Sequence, residues 1–386
     1  MIVVDGLRAD RVGLQGYERP ITPEIDAFAA DGIVYARATS PATWCVPAHA
    51  SLLTGRWPSY HGAERSLGQD RRRVQAIAAD AGTLAELLGA SGFRTAAFVA
   101  NDEHLRAEYG FARGFADFDS DAALASGTAL ADAVARWLAE HPERSFVLVN
   151  VDHPRHPDGE PAAKAGASGD AATRRAALAD RYDRDVASAD RAVGDVLDVL
   201  RRAGRYERAL VVVTSDHGEL LGEHGLDGAA RPPFEPVVHV PLVVKYPNAA
   251  RAGEWIDRRV STLSVFATVL GAAGIRVPED AQARSLDELH PVWVEEVDAS
   301  GVRLRAGYDG ADVKMMSLAS ADGDVACLFQ LGMDPGELRP DCGAGARTPL
   351  GVALASFSRR GRPLRPASAL GAQAIPSPGP DVARAH

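Results

Sequence analysis

Cysteine is scarce in this chain: its 386 residues include three, Cys45, Cys327 and Cys342. An odd number at such wide spacing points to neither a disulfide framework nor a Cys-x-x-Cys zinc site. Positive charge is short as well, with 42 Lys and Arg against 52 Asp and Glu, a formal net charge of −10. A nucleic-acid partner therefore lacks the field that phosphate binding needs. No apolar run reaches membrane-spanning length, and no basic stretch followed by an apolar region opens the chain. These absences place the chain as it stands in the cytoplasm, without a membrane partner. Met1 lies only four residues before Asp5, which leaves room for a start further upstream and a lost leader. Oligomeric state is not legible.

What is present reads as a folded α/β protein. Short apolar runs at 2–4, 33–36, 95–99, 146–151, 210–213 and 242–244 alternate with helical patterns. Thr83 with Glu86 forms a capping box. Val186, Ala189, Val193, Val196, Leu197 and Leu200 repeat as one buried face of a long helix. Strand–helix alternation predicts a mostly parallel central sheet flanked by helices over residues 1–287. Residues 154–180, rich in Ala, Gly, Asp and Pro, read as a mobile insertion before the long helix. Short runs at 292–294, 302–305, 313–316 and 325–328 predict a small antiparallel sheet within an α+β subdomain at 288–356. Five Pro and five Arg from Ser358 onward predict a disordered tail at 357–386.

Two of the apolar runs end in ligand-forming residues: Ile2-Val3-Val4-Asp5 and Val211-Val212-Val213-Thr214-Ser215-Asp216-His217. Buried parallel strands deliver such residues to the sheet's carboxyl edge, where ligands bind in open α/β folds. Mixed carboxylate and imidazole donors suit a divalent cation; the plain alternative for a single strand-end Asp is a helix cap. Between the runs, Cys45 stands two residues before Pro47, and 47–54 reads as a short helix closed by Gly55. A group at that helix start faces unpaired amides that stabilise an anion. Cys45 is thus either a nucleophile or a buried, inert thiol. Together the elements suggest a metal-assisted hydrolase.

The run Cys45-x-Pro47-x-His49-Ala50-Ser51-Leu52-Leu53-Thr54-Gly55-Arg56 resembles the signature of the sulfatase family, within the alkaline phosphatase superfamily. So do Val4-Asp5-Gly6-Leu7-Arg8-Ala9-Asp10, Thr22-Pro23-Glu24-Ile25-Asp26, Asp216-His217-Gly218-Glu219, Gly222-Glu223-His224-Gly225, Val240-Pro241-Leu242 and the closing Asp334-Pro335-Gly336-Glu337. The resemblance implies an alkaline-phosphatase-like fold and a sulfuric ester hydrolase acting on a small-molecule sulfate ester. It implies one divalent cation, calcium first and manganese, magnesium or zinc next, held by Asp5, Asp216, His217 and Cys45. It also implies that a formylglycine-generating enzyme converts Cys45 to formylglycine. One hydroxyl of the hydrated aldehyde would attack sulfur and displace the alcohol, and the other would expel sulfate.

Several positions depart from the family pattern. His49 replaces an Arg, and as a neighbour of Cys45 it is a candidate catalytic group. Gly6 replaces a second acid, and the Lys and His pair expected around Asn101 is missing. His153 and His156 compete for the role of general acid, in the run Asp152-His153-Pro154-Arg155-His156. Arg231 is the nearest cation ahead of Phe234-Glu235. His61, Asn101, His224 and Arg231 are candidate substrate-binding residues, with a structural role open for His61. His239, Trp44 and Trp57 read as packing residues, and Glu219 and Glu223 as solvated. These departures keep two alternatives open: a phosphoester or phosphonate ester hydrolase of the same superfamily, and a non-catalytic relative that binds anionic esters.

Overall fold

The computed structural model describes residues 1–65, 73–152, 171–229, 232–297, 302–310, 312–319, 325–342, 348–360 and 375–376. Its central sheet has nine strands. They are β1 (Ile2–Val4), β2 (Ile33–Thr39), β3 (Arg94–Val99), β4 (Asp117–Asp119), β5 (Ser145–Val151), β6 (Val211–Ser215), β7 (His239–Val240), β8 (Leu242–Lys245) and β9 (Trp255–Ser261). The order across the sheet is β7-β2-β8-β6-β1-β5-β3-β4, with β9 also pairing with β2. β8 runs antiparallel to β6 and β2, and β7 antiparallel to β2; the other pairs are parallel. The apolar runs of the sequence thus form a mostly parallel sheet, as expected, with β1 at its middle.

Seven helices bear on the argument: α1 (Pro23–Ala29), α2 (Cys45–Thr54), α3 (Leu84–Ala90), α4 (Gly127–Glu140), α5 (Ala171–Arg202), α6 (Val265–Ala272) and α7 (Pro349–Arg360). Side chains alternate between the faces of a strand, and β1 shows the result. Val3 packs with Val46, Leu52, Leu84, Leu88 and Phe266 of α2, α3 and α6. Ile2 and Val4 pack with Ile25, Phe28, Val134, Trp137, Val193 and Leu197 of α1, α4 and α5. The capping box of α3 forms, with Thr83 Oγ1 accepting from Glu86 N at 3.1 Å and Glu86 Oε2 accepting from Thr83 N at 2.8 Å. The expected stripe of α5 is buried from Val186 to Leu197. That helix starts at Ala171, so 171–180 are helical rather than part of an insertion; 154–170 lie outside the described residues.

The C-terminal sheet is antiparallel in the order β10 (Trp293–Val297), β11 (Arg303–Asp309), β12 (Val313–Ala319) and β13 (Val325–Gln330). One expectation fails here: Cys327 and Cys342 form a disulfide. Their separation of 15 residues hid it. The chain doubles back after β13, so that Leu328 and Asp341 exchange two backbone hydrogen bonds of 2.9 Å. That pairing sets the two Cys Cα atoms 3.9 Å apart. α7 also runs into the stretch expected to be tail, and it buries Leu350, Leu354 and Phe357 against the main core. Beyond Arg360 only residues 375–376 are described, paired with 73–74.

Buried charge fastens the C-terminal sheet to the segment that carries Cys45. Arg303 gives Glu64 two hydrogen bonds of 2.8 Å. Glu295 accepts from Arg305 Nε at 3.0 Å and from Ser59 N at 2.8 Å. Glu296 accepts from Thr43 Oγ1 at 2.7 Å and from Arg65 at 3.0 Å. Arg65 in turn lies 4.7 Å above the ring of Trp44, the residue before the nucleophile candidate. Two distant motifs also meet. Glu235 N donates to Glu337, and Lys314 Nζ sits between those carboxylates at 3.0 and 2.7 Å. No helix among the described residues is long and apolar enough to cross a membrane.

Candidate active site

The sheet's carboxyl edge gathers the expected ligands. Asp5 follows β1 and Asp216-His217 follows β6, the strand next to it. Cys45 begins α2, two residues earlier than the helix expected from Pro47. Pro47 still falls in the first turn, where a missing N–H costs no helical bond. At the other end Gly55 adopts φ 62° and its N–H bonds Ser51 O at 2.9 Å, closing the helix. All ten residues of α2 are buried, so its orientation is set by packing rather than by solvent.

Donor atoms of Cys45, Asp216 and His217 lie within 4.8 Å of one another, as do those of Asp5, His49 and Asp216. His217 Nε2 is 3.2 Å from Cys45 Sγ. Its Nδ1 donates to the Gly218 carbonyl at 2.9 Å, which leaves the Nε2 lone pair facing the cluster. Asp216 Oδ1 accepts from the amides of Gly6 and His217 at 3.1 and 2.8 Å. Asp216 Oδ2 is buried without a well-formed hydrogen bond, although His49 Nδ1 and His217 Nε2 each stand 3.3 Å away. Burial and the charge of Asp216 push the Asp5 carboxyl well above the usual range. Burial would raise Asp216 too, but His217 and His49 hold it below the usual range. Burial and the carboxylates of Asp5, Asp216 and Asp152 push the Cys45 thiol up. A buried carboxylate oxygen without a partner, beside a second carboxylate and a bare imidazole nitrogen, fits a divalent cation.

His49 lies one turn beyond Cys45, but it does not reach the sulfur. Its Nδ1 is 3.1 Å from the Cys45 carbonyl, and Nε2 is 3.8 Å from Asp5 Oδ1. The ring therefore bridges the carboxylates of Asp5 and Asp216. Burial lowers its pKa, yet the carboxylates of Asp216 and Asp5 outweigh burial and raise it overall. Asn101 is committed as well: its Nδ2 donates to Asp5 Oδ2 at 2.6 Å and lies 3.6 Å from Cys45 Sγ. It serves as a support for Asp5, with Cys45 beside it, where a substrate contact was expected.

Other expected residues fall elsewhere. His61 is buried beneath α2, with Nε2 3.0 Å from Ser51 Oγ and 3.1 Å from Pro47 O, and Nδ1 accepting from Ala63 N. Burial takes its pKa down to about 3. His224 stacks on Phe234 with ring centroids 3.6 Å apart, in a loop beyond the Asp216-His217 turn. Glu223 is not solvated; it pairs with the buried Arg8 at 3.0 Å. That arginine also holds the carbonyl of Glu219 at 3.0 Å. His239, Trp44 and Trp57 pack as expected. His153, His156 and Arg231 lie outside the described residues.

Two supporting residues went unnoticed in the sequence. Asn150, on β5, donates from Nδ2 to Asp5 Oδ1 at 2.8 Å and accepts from Asn101 N at 2.9 Å. A polar residue inside the otherwise apolar run Val147-Leu148-Val149-Asn150-Val151 was its signal. His104 places its Nδ1 and its backbone N each 3.2 Å from Asn101 Oδ1. It supplies an imidazole near Asn101 from three residues further along. Replacing Asn150 with leucine keeps the branched shape of the side chain and removes the donor to Asp5. We expect metal affinity to fall about 10- to 100-fold with the far-UV spectrum unchanged; unchanged affinity by titration calorimetry would deny Asn150 this role.

A mostly parallel α/β sheet thus brings carboxylates, an imidazole and a helix-borne cysteine together at its carboxyl edge, where ligands bind in open α/β folds. The chain belongs to the sulfatase family, whose sequence model matches residues 1–275. The N-acetylglucosamine-6-O-sulfatase of Bacteroides thetaiotaomicron is 35% identical over 91 residues, covering 24% of this chain and 16% of that protein. Arylsulfatase K of Xenopus laevis is 31% identical over 160 residues, 37% of this chain and 30% of that one. The matches thus span under a third of these curated relatives. A crystal structure of a putative sulfatase from Bacteroides thetaiotaomicron superposes with a TM-score of 0.73 at 18% identity, covering 93% of this chain and 89% of that one. At that identity the likeness concerns the fold.

Proposed function

We propose that this protein hydrolyses a sulfate ester of a small molecule, with residue 45 as nucleophile and one divalent cation at Asp5, Asp216 and His217. The observation that carries the reading is the buried cluster in which Cys45 Sγ stands 3.2 Å from His217 Nε2, beside an unpartnered carboxylate oxygen of Asp216. A divalent ion there, calcium first, supplies Lewis acidity to the ester oxygens. As formylglycine, residue 45 supplies a hydrated aldehyde with one hydroxyl for attack and one for release. The remaining work belongs to the protein's own side chains. Asn150 and Asn101 fix both oxygens of Asp5, Gly6 N and His217 N fix one oxygen of Asp216, and the Gly218 carbonyl fixes the His217 tautomer. The helix start at Cys45 adds a favourable dipole for negative charge. His153 or His156 is proposed to protonate the departing alcohol, and a formylglycine-generating enzyme to act on Cys45.

The test joins an aryl sulfate assay with mass spectrometry of the peptide that contains Cys45. Turnover together with a residue lighter than cysteine supports the reading; a catalytically silent protein with an intact thiol, after co-expression with a modifying enzyme, overturns it. A phosphate or phosphonate ester is the second reading. Its support is Gly6: among the described residues Asp5 and Asp216 are the carboxylates grouped to hold the ion, and a site with one acid fewer favours a doubly charged phosphoester. A higher kcat/KM for an aryl phosphate than for the aryl sulfate would select it.

Metal removal gives an independent prediction. Ion at 100 times Kd should add about 2.7 kcal/mol of stability by mass action. Chelation should lower Tm accordingly, and Asp216→Ala should abolish the response. A Tm indifferent to chelator and added calcium would count against the site.

A further inference from the structure

Two motifs of the sequence have no task in the proposed chemistry: Phe234-Glu235 and the closing Asp334-Pro335-Gly336-Glu337. They meet next to the Asp216-His217 turn. Glu337 is 3% exposed, and its Oε2 accepts from the backbone N of Glu235 at 2.6 Å. Lys314 of β12, wholly buried, bridges the same two carboxylates, and Tyr308 of β11 donates to Glu235 at 2.7 Å. Glu235 opens a single helical turn, Glu235–Val238. The Val237 carbonyl of that turn accepts from Gly218 N at 2.7 Å, and the Gly218 carbonyl accepts from His217 Nδ1 at 2.9 Å. The Gly218 peptide is thus gripped by the turn on one side and grips the imidazole on the other. A side chain at 218 would collide with the Pro236 carbonyl, so the two segments meet without slack.

The loop that delivers Glu337 is closed covalently, since it lies between Cys327 and Cys342. Asp334 folds its tip: the two carboxylate oxygens accept from Leu338 N at 3.0 Å and Arg339 N at 2.7 Å, and Glu337 N donates to Asp334 O at 3.0 Å. Glu337 itself has φ 53°, a left-handed conformation that persists where the surroundings over-determine it. We propose that Glu337 is a positioning residue for His217, kept in place by the Cys327–Cys342 bridge, so that a dithiol reductant loosens the imidazole. In that reduction the S–S bond opens, two electrons and two protons pass to the cysteine sulfurs, and the dithiol closes into its own disulfide. Cys342 is exposed, within reach of such a reductant. A ligating imidazole needs its second nitrogen fixed by an acceptor, and here the C-terminal sheet fixes that acceptor. The ligand role of His217 rests on the cation reading above, but its ring tautomer tests the positioning without an ion.

The test follows the full chain, with isotope-labelled histidine, by NMR and by calcium titration calorimetry; His217→Gln assigns the ring signals. In the metal-free parent the His217 ring should be held in the Nδ1–H form. Glu337→Ala should turn it into a mixture of tautomers and lower calcium affinity at least about 10-fold. Glu337→Gln keeps an oxygen for Glu235 N and should recover most of both. Dithiothreitol, or Cys327→Ser combined with Cys342→Ser, should move both readouts in the direction of Glu337→Ala. Leu138→Ala, a cavity near the end of α4, should lower Tm and leave both unchanged. Parent-like readouts in Glu337→Ala overturn the positioning role, and readouts blind to reduction overturn the role of the bridge. Equal changes in Leu138→Ala overturn both, by making them general loosening. A parent with the fixed tautomer and no calcium uptake overturns the cation reading alone, and the tautomers of the variants then decide the positioning.

Discussion

Cys45→Ala should lower turnover of the preferred ester by roughly four to six orders of magnitude, the cost of removing a nucleophile from a preorganised site. The fold should survive, because the change trims one small buried side chain. Alanine leaves Asp5, Asp216 and His217 in place, so the ion should still bind and KM should move little. Cys45→Ser is the informative companion. Serine has one hydroxyl for attack and none for release, so it should stop after a single turnover and retain the transferred group, which intact-protein mass spectrometry would detect. Near-normal rates in Cys45→Ala would falsify the nucleophile assignment, and full activity in Cys45→Ser would move the reading toward direct phosphoester chemistry.

The largest effect on stability is expected from Glu295→Ala. Glu295 is about 1% exposed and accepts from Arg303, Arg305 and the backbone of Ser59. Its loss leaves two guanidinium groups in a dry interface with less compensation, a defect that costs about 3–5 kcal/mol. That is a large share of the roughly 5–15 kcal/mol that holds a typical domain together. Activity should fall with it, since Ser59 and Thr43, held by Glu295 and Glu296, flank the residues that orient α2. Glu295→Gln keeps the shape and some of the hydrogen bonds, and should be milder. A urea midpoint in Glu295→Ala within about 0.5 kcal/mol of the parent would show the network to be dispensable.

These two sites differ in how far the sequence revealed them. Asp5, Cys45 and Asp216-His217 were legible because each sits at the end of an element with a strong local pattern, and α/β topology brings such ends to one edge. Six of the nine central strands and the four of the C-terminal sheet were legible from their apolar runs, whereas the short or polar β4, β7 and β9 were not. Glu295 and Arg303 gave no such sign: in sequence they are charged residues in short mixed runs, and their burial depends on strand pairing that no local pattern encodes. Asn150 had a faint signal, a polar residue within an apolar run. The Cys327–Cys342 bridge had none, because it follows from the chain doubling back after β13. His49 shows a subtler limit. Helical spacing placed it near Cys45, but only the packed structure turns its ring to the carboxylates.

The burial of α2 bears on how the protein is made. Cys45 is about 7% exposed and its helix has no solvent face. An enzyme that is to modify this cysteine must reach a side chain that the packed helix covers. If Cys45 is converted as proposed, maturation is a race between that chemistry and folding, decided before α2 packs. On the proposed function, a copy that folds first should keep its thiol, the active fraction of a preparation should reflect the timing of its synthesis, and refolding unmodified protein in the absence of that enzyme should leave it unchanged.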